Sequence, residues 1–244
     1  MQALILAAGL GSRLAPVSEG MPKVLVTVAG RPLIDYALRF ARRAGARRLI
    51  VVGGFGFDGV RRAVLDREQG AQIVENPAFR KANLFSFLKG ATSLDPGVGT
   101  LLMNSDHVYR PSIADFVHHL ATRAAEVTAF CDCDRLLTDD DMKVCLDADH
   151  RVLDMAKTLA SWQAGYVGMT FVPASRLEAH LAAARAAAAE FGDAAYVEQV
   201  LVRLARTVRA PRVADISGHG WLEVDVPAER EHAEQTLLRE GWWG

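Results

Sequence analysis

Cysteine is scarce in this chain of 244 residues: there are three, Cys131, Cys133 and Cys145. An odd number without metal-ligand spacing excludes a disulfide framework and leaves free thiols in a reducing compartment as the expectation. Cys131-x-Cys133 is too closely spaced for zinc and reads as packing. Long apolar runs are missing too, since no stretch reaches the roughly 18 residues of a membrane span. The N-terminus enters an apolar segment with no basic n-region or cleavage site, so neither a signal peptide nor a membrane partner is expected. A cytoplasmic location follows. An excess of either charge is also missing: 28 Lys+Arg balance 29 Asp+Glu, for a net charge of −1. That balance argues against nucleic acid and anionic membrane surfaces as partners. Two common nucleotide motifs are absent as well. G-x-x-x-x-G-K-[S/T] occurs nowhere, and Leu14 stands where the dinucleotide fingerprint needs its third glycine.

What is present begins at once. Gln2 to Ala8 is an almost uninterrupted apolar run, the pattern of a strand buried on both faces of a parallel sheet. It opens into Gly9-Leu10-Gly11-Ser12-Arg13, with Pro22-Lys23 beyond. Two glycines let the backbone turn sharply and bring its N–H groups against an anion. Arg13 and Lys23 add two cations, so the segment reads as a polyphosphate cradle at the carboxyl end of the first strand. A Gly-x-Gly kept for packing, with two solvated cations, is the plainer alternative.

Periodicity organises the rest. Lys23 to Ala29 reads as a short extended segment and Arg31 to Ala44 as a helix striped by Leu33, Ile34, Ala37, Leu38 and Ala41. Strands are expected at Arg48 to Gly53, Ala71 to Glu75 and Thr100 to Met103. Helices are expected at Asp58 to Gln69, around Phe85, Leu88 and Ala91, and from Pro111 to about Arg123. This alternation predicts right-handed βαβ units. From Val127 the texture changes to strands at Val127 to Cys131, Lys143 to Leu146, Arg151 to Met155 and Gly165 to Phe171, with a hairpin turn at Asp147 to His150. Helices at Ala174 to Glu190 and Ala195 to Ala205, strands at Arg212 to Ile216 and Trp221 to Val224, and a helix at Ala228 to Glu240 complete the chain. One domain, 1–244, is expected, with a nucleotide-binding half (about 1–125) and an acceptor-binding half (about 126–244).

Two acids each end an apolar strand: Asp106 after Leu101-Leu102-Met103-Asn104-Ser105, and Asp225 after Trp221-Leu222-Glu223-Val224. Ligands of open α/β sheets collect at such strand ends. Position alone leaves two readings, a metal ligand or a turn cap.

Leu6-Ala7-Ala8-Gly9-Leu10-Gly11-Ser12-Arg13-Leu14, then Pro22-Lys23-Val24-Leu25 and Gly30-Arg31-Pro32-Leu33-Ile34, resembles a known signature. It is that of MobA-like and sugar-phosphate nucleotidyltransferases, which join a nucleoside triphosphate to a phosphorylated sugar or alcohol and release pyrophosphate. Within that superfamily, Asp106-His107-Val108-Tyr109, Gly168-Met169-Thr170-Phe171, Trp221-Leu222-Glu223-Val224-Asp225 and Asn83-Leu84-Phe85-Ser86-Phe87 resemble CTP:inositol-1-phosphate and phosphocholine cytidylyltransferases. Ser105 departs from the glycine common before that aspartate.

The resemblance implies a three-layer α/β/α, Rossmann-like and GT-A-like fold with a mostly parallel sheet and a small β-rich acceptor region. It implies CTP or another NTP as one substrate, and as the other inositol 1-phosphate, phosphocholine or a phosphonate such as 2-aminoethylphosphonate. Leu6, Ala7, Ala8, Gly9, Gly11, Ser12, Arg13, Lys23, Asn83 and Ser105 would bind nucleotide, with Arg13 and Lys23 catalytic. Asp106 and Asp225 would hold Mg²⁺, and Lys143, Lys157 and Glu198 would meet the acceptor. Asn83 as a helix cap, the lysines as surface cations and Glu198 as a solvated helix acid are the competing readings. His107 reads as structural, because a phosphate monoester is already ionised and needs no base. The Trp242-Trp243 ending is expected to dock on the body or on a second subunit. A UDP-, GDP- or dTDP-sugar pyrophosphorylase, a molybdopterin-type transferase and a non-catalytic nucleotide-binding regulator are the rival functions.

Overall fold

The computed structural model describes residues 1–18, 20–207 and 209–243. Its first half runs β1 (Gln2–Ala7), α1 (Ala15–Ser18), β2 (Thr27–Val28), β3 (Arg31–Pro32), α2 (Leu33–Arg43), β4 (Arg48–Gly53), α3 (Phe57–Leu65) and β5 (Gln72–Glu75). Then come α4 (Asn83–Ala91), β6 (Thr100–Asn104), β7 (His107–Tyr109) and α5 (Pro111–Ala121). The second half runs β8 (Thr128–Asp132), β9 (Lys143–Leu146), β10 (Val152–Ala156), β11 (Ala164–Val172), α6 (Ala174–Phe191) and α7 (Val197–Thr207). It closes with β12 (Arg212–Asp215), β13 (Trp221–Glu223) and α8 (Pro227–Glu240).

β1 is buried along its whole length because both faces are covered. Ala3, Ile5 and Ala7 share a core with α2, α3 and α5. Leu4 and Leu6 share another with α4, α6 and α7. The result is the expected three-layer α/β/α arrangement. β1 pairs in parallel with β4 on one side and β6 on the other, and β5 extends the ladder beyond β4. β11 then runs antiparallel to β6, and β8 pairs with β11 and, in parallel, with β12. Together with the β9–β10 hairpin these make one nine-stranded sheet.

β11 serves two neighbourhoods. Met169 to Val172 pair with β6, whereas Ala164 and Gly165 pair with β9. The register against β8 shifts between Tyr166 and Thr170, where Gly168 has φ of +68°. A Cβ there would sit 2.9 Å from Asn104 Nδ2 and 3.1 Å from His107, so glycine answers both the backbone and the crowding.

A third, smaller core gathers Leu14, Val28, Leu33, Val108, Leu222, Val224 and Leu237 beneath α8. It seats the antiparallel pair β7–β13, in which Glu223 lies opposite His107. The C-terminal tryptophans dock on the body: Trp243 Nε1 donates to the Tyr109 carbonyl at 2.9 Å, and Arg110 lies over the Trp242 ring at 4.8 Å.

The structure corrects one expected element. Lys23 to Ala29 is not extended throughout: Lys23–Leu25 forms a 3₁₀ turn before β2, and Val26 N–H donates to the Lys23 carbonyl. The turn faces Lys23 inward, where its side chain is buried.

Candidate active site

Four segments converge at the carboxyl end of β1 and β6. The β1 loop supplies Arg13, the 3₁₀ turn Lys23, the β6–β7 junction Asp106, and the end of β13 with the residues after it Glu223 and Asp225. Gly11 adopts φ of +64°, and a Cβ on it would lie 2.5 Å from Lys23 Cβ, so the loop can fold against that lysine only with glycine there. Gly9 is different. It is exposed, and open space surrounds the place a Cβ would take.

The two aspartates lie side by side. Val224 N–H donates to the Asp106 carbonyl at 3.0 Å, which sets Asp225 beside Asp106. Glu229, three residues into α8, accepts from the Asp225 and Val226 N–H groups at 2.6 and 3.2 Å and fixes the backbone at this point. The Lys23 ammonium then bridges both carboxylates: it lies 2.8 Å from Asp106 Oδ2 and pairs with Asp225. Arg13 pairs with Asp225 from the outer side and reaches Asp140 at 3.0 Å. Burial alone would raise the Asp106 carboxyl, but the Lys23 charge and His107 outweigh it and hold it far below the usual carboxylate range.

His107 is buried, with Nδ1 2.6 Å from Asp106 and its ring stacked between Tyr109 and Trp221 at 5.7 and 5.2 Å. Burial works against its charged form, but the neighbouring Asp106 carboxylate prevails and raises its pKa. It orients Asp106, in line with the structural reading. Asp106, His107 and Glu223 offer ligand atoms all within 4.8 Å of one another. Glu223 was not singled out in the sequence; the signal was its alternation with Asp225 along a strand facing the same cleft.

A cavity of about 530 Å³ opens beside this cluster. Arg13, Asn83, Asp106, Lys157, Glu198 and Asp225 all line it, so six of the expected residues share one cavity. Others have different positions. Leu6 and Ala7 are buried in β1, and Ala8 is buried just beyond it. Ser12 is exposed in the loop. Ser105 is buried, and its hydroxyl donates to the Leu6 carbonyl at 2.6 Å, tying β6 to β1. Lys143 is buried as well: its ammonium donates to the Thr138 and Lys157 carbonyls at 2.7 and 2.8 Å, holding the loop that carries Asp140. Asn83 lines the cavity while its Oδ1 accepts from Val197 N–H at 2.9 Å, so it caps α7 from across the cleft. Lys157 lies half-exposed, 3.7 Å from Asp140.

The chain belongs to the MobA-like NTP transferase domain family, whose model matches residues 3–220. It is 31% identical over 252 aligned residues to a CMP-5'-(3-aminopropyl)phosphonate synthase of Streptomyces rubellomurinus, covering 96% of this chain but 38% of that protein. It is also 26% identical to a UTP–glucose-1-phosphate uridylyltransferase of Haloferax volcanii, covering 98% of each chain. Among solved structures it resembles the inositol-1-phosphate CTP transferase from T. maritima, with a TM-score of 0.83, 19% identity and coverage of 98% and 96%. No helix of the described residues is long and apolar enough to cross a membrane.

Proposed function

We propose that the protein is a cytidylyltransferase that joins CTP to a small phosphorylated or phosphonylated alcohol and releases pyrophosphate. The observation that carries this is the Lys23 ammonium bridging Asp106 and Asp225, with Arg13 alongside, at the mouth of a cavity large enough for two small substrates. An acceptor oxyanion attacks the α-phosphorus. The new P–O bond forms as the bond from that phosphorus to the β-phosphate bridging oxygen breaks, and the electron pair leaves on pyrophosphate. Both reactants are anions, so the protein's work is alignment and charge compensation. Lys23 and Arg13 meet the triphosphate, Arg by planar contacts and Lys as a point charge. Lys157, across the cavity, meets the acceptor phosphate. Open space at Gly9 fits the same picture, because nothing in the protein fills it and a phosphate passing against the backbone would.

The donor set suits a hard divalent cation. Asp106, Glu223 and Asp225 are carboxylates at one point, and a cationic side chain already bridges two of them. They would hold Mg²⁺, which when bound neutralises phosphate charge. Lys143 and Ser105 support the walls through their backbone contacts instead of touching substrate. The cavity takes Arg13, Asn83 and Asp106 from residues 1–125 and Lys157, Glu198 and Asp225 from residues 126–244. This sharing supports a single domain, 1–244, with the two substrates entering from opposite halves. A cytoplasmic setting, where CTP is made, suits the reaction.

The Haloferax relative supports a second reading, with UTP and a sugar phosphate. A screen of four triphosphates against phosphate monoesters and phosphonates, read as pyrophosphate release with and without Mg²⁺, decides between them. Asp106→Asn and Asp225→Asn should each remove nearly all turnover while the fold persists. Undiminished turnover in both variants, or none from CTP with any acceptor, would refute the proposal.

A further inference from the structure

Glu198 sits in the first turn of α7, 7% exposed, and lines the cavity. Among the described residues its Oε2 has no hydrogen-bond partner. The start of a helix favours a carboxylate, since the free N–H groups of the first turn present partial positive charge. Burial opposes that charge and raises the carboxyl's pKa, and its own backbone N–H counters only part of the effect. A buried carboxylate oxygen without a donor is costly, and sites of this kind are resolved by a ligand of complementary chemistry. The described residues offer none: Lys157, which faces the same cavity, is drawn outward to Asp140. The cavity therefore carries two cations in its lining, Arg13 and Lys157, both held by Asp140, and a buried acidic oxygen of Glu198 that no cation meets.

We infer that the acceptor is a zwitterion, a short-chain phosphate or phosphonate whose other end is an ammonium bearing N–H, held by the Glu198 carboxylate. This rests on the cytidylyl-transfer reading and narrows its acceptor. A neutral polyol could donate a hydrogen bond to that carboxylate but would leave the charge uncompensated. A trimethylammonium group compensates the charge but has no N–H to give. Such a group is held best by a cage of aromatic faces. The wall offers two tyrosines, Tyr166 and Tyr196, and no tryptophan or phenylalanine. Tyr166 already shares its hydroxyl with Thr170, and Tyr196 is half-exposed.

The test is a methylation series. With CTP and Mg²⁺ held constant, pyrophosphate release is measured with phosphoethanolamine, its N-methyl and N,N-dimethyl forms, phosphocholine, 2-aminoethylphosphonate and myo-inositol 1-phosphate. The expected kcat/KM drops at least about 100-fold once the last N–H is lost, and similarly for the inositol ester, as when a built polar site goes unpaired. Glu198→Gln should raise the KM for phosphoethanolamine about 100-fold and leave the KM for CTP unchanged, and Glu198→Asp should recover part of the loss. Glutamine keeps the shape and removes the buried charge, so a thermal midpoint at or above that of the native protein shows the variant folded. Equal turnover of phosphocholine and phosphoethanolamine, or an equal loss across all acceptors in Glu198→Gln, overturns the inference. Turnover of inositol 1-phosphate alone overturns it while the cytidylyl-transfer reading stands. Absence of pyrophosphate with every acceptor overturns both.

Discussion

Replacing Lys23 by methionine keeps the length of the side chain and deletes the charge between two carboxylates. Removing one partner of a buried ion pair costs about 3–5 kcal/mol. Here Asp106 and Asp225 keep 26% and 19% of their side-chain surface, so water screens part of the loss. The expected destabilisation is therefore about 2 kcal/mol, a fall of roughly 4–8 °C in thermal midpoint for a chain of this size. The sign of the response to Mg²⁺ is the sharper observable. In Lys23→Met the facing carboxylates have lost their resident cation, so Mg²⁺ should raise the midpoint more than it does in the native protein. Turnover should fall by about 10²–10³-fold, the usual loss of one charge-stabilising donor. Thermal melts across a Mg²⁺ series and pyrophosphate release at saturating substrates measure both effects. An unchanged midpoint with a smaller Mg²⁺ response than the native protein would refute the bridging role.

Other predictions are independent of that one. His180 is buried against Phe87 with Nδ1 unpartnered, and burial lowers its pKa to about 4. Between that value and its ordinary 6.5 the unfolded chain binds the extra proton, so stability is full above pH 6.5 and is lost as pH falls towards 4. By pH 5 the loss should be about 2 kcal/mol in urea melts, and it should vanish in His180→Leu. Asp140 is 75% exposed and occupies both Arg13 and Lys157. Asp140→Asn should lower KM for CTP and acceptor by about 2–5-fold without moving the thermal midpoint, since exposed pairs add little stability. Ser105→Ala removes the tie to the Leu6 carbonyl and should cost about 1 kcal/mol with an unchanged KM for CTP; a raised KM would return Ser105 to the nucleotide.

The sequence shows the β1 loop, the βαβ alternation and the strand-ending aspartates because each is a local pattern: an apolar run, a period, a turn residue. Most element ends agree within a few residues, as for α6, expected to Glu190 and ending at Phe191. What stays hidden depends on partners distant in the chain. β7 is three residues long and exists because β13 pairs with it. Glu223 and Glu229 gain their places through that pairing and through the start of α8. Asn83 is half cap and half cavity wall, a combination set by the approach of α7 to α4. The inward turn of Lys23 is likewise tertiary, fixed by two carboxylates from other segments.

The bend at Gly168 divides one continuous strand between two duties. Its later half is locked into the scaffold that carries Asp106, and its earlier half carries the β9–β10 hairpin and the Asp140 loop. Changes in the length or sequence of that hairpin therefore bear on the aspartate pair through the exposed Arg13–Asp140 contact and not through the β1–β6 ladder. Such an attachment can be exchanged during evolution, so that descendants of one phosphate-transferring frame come to accept different partners.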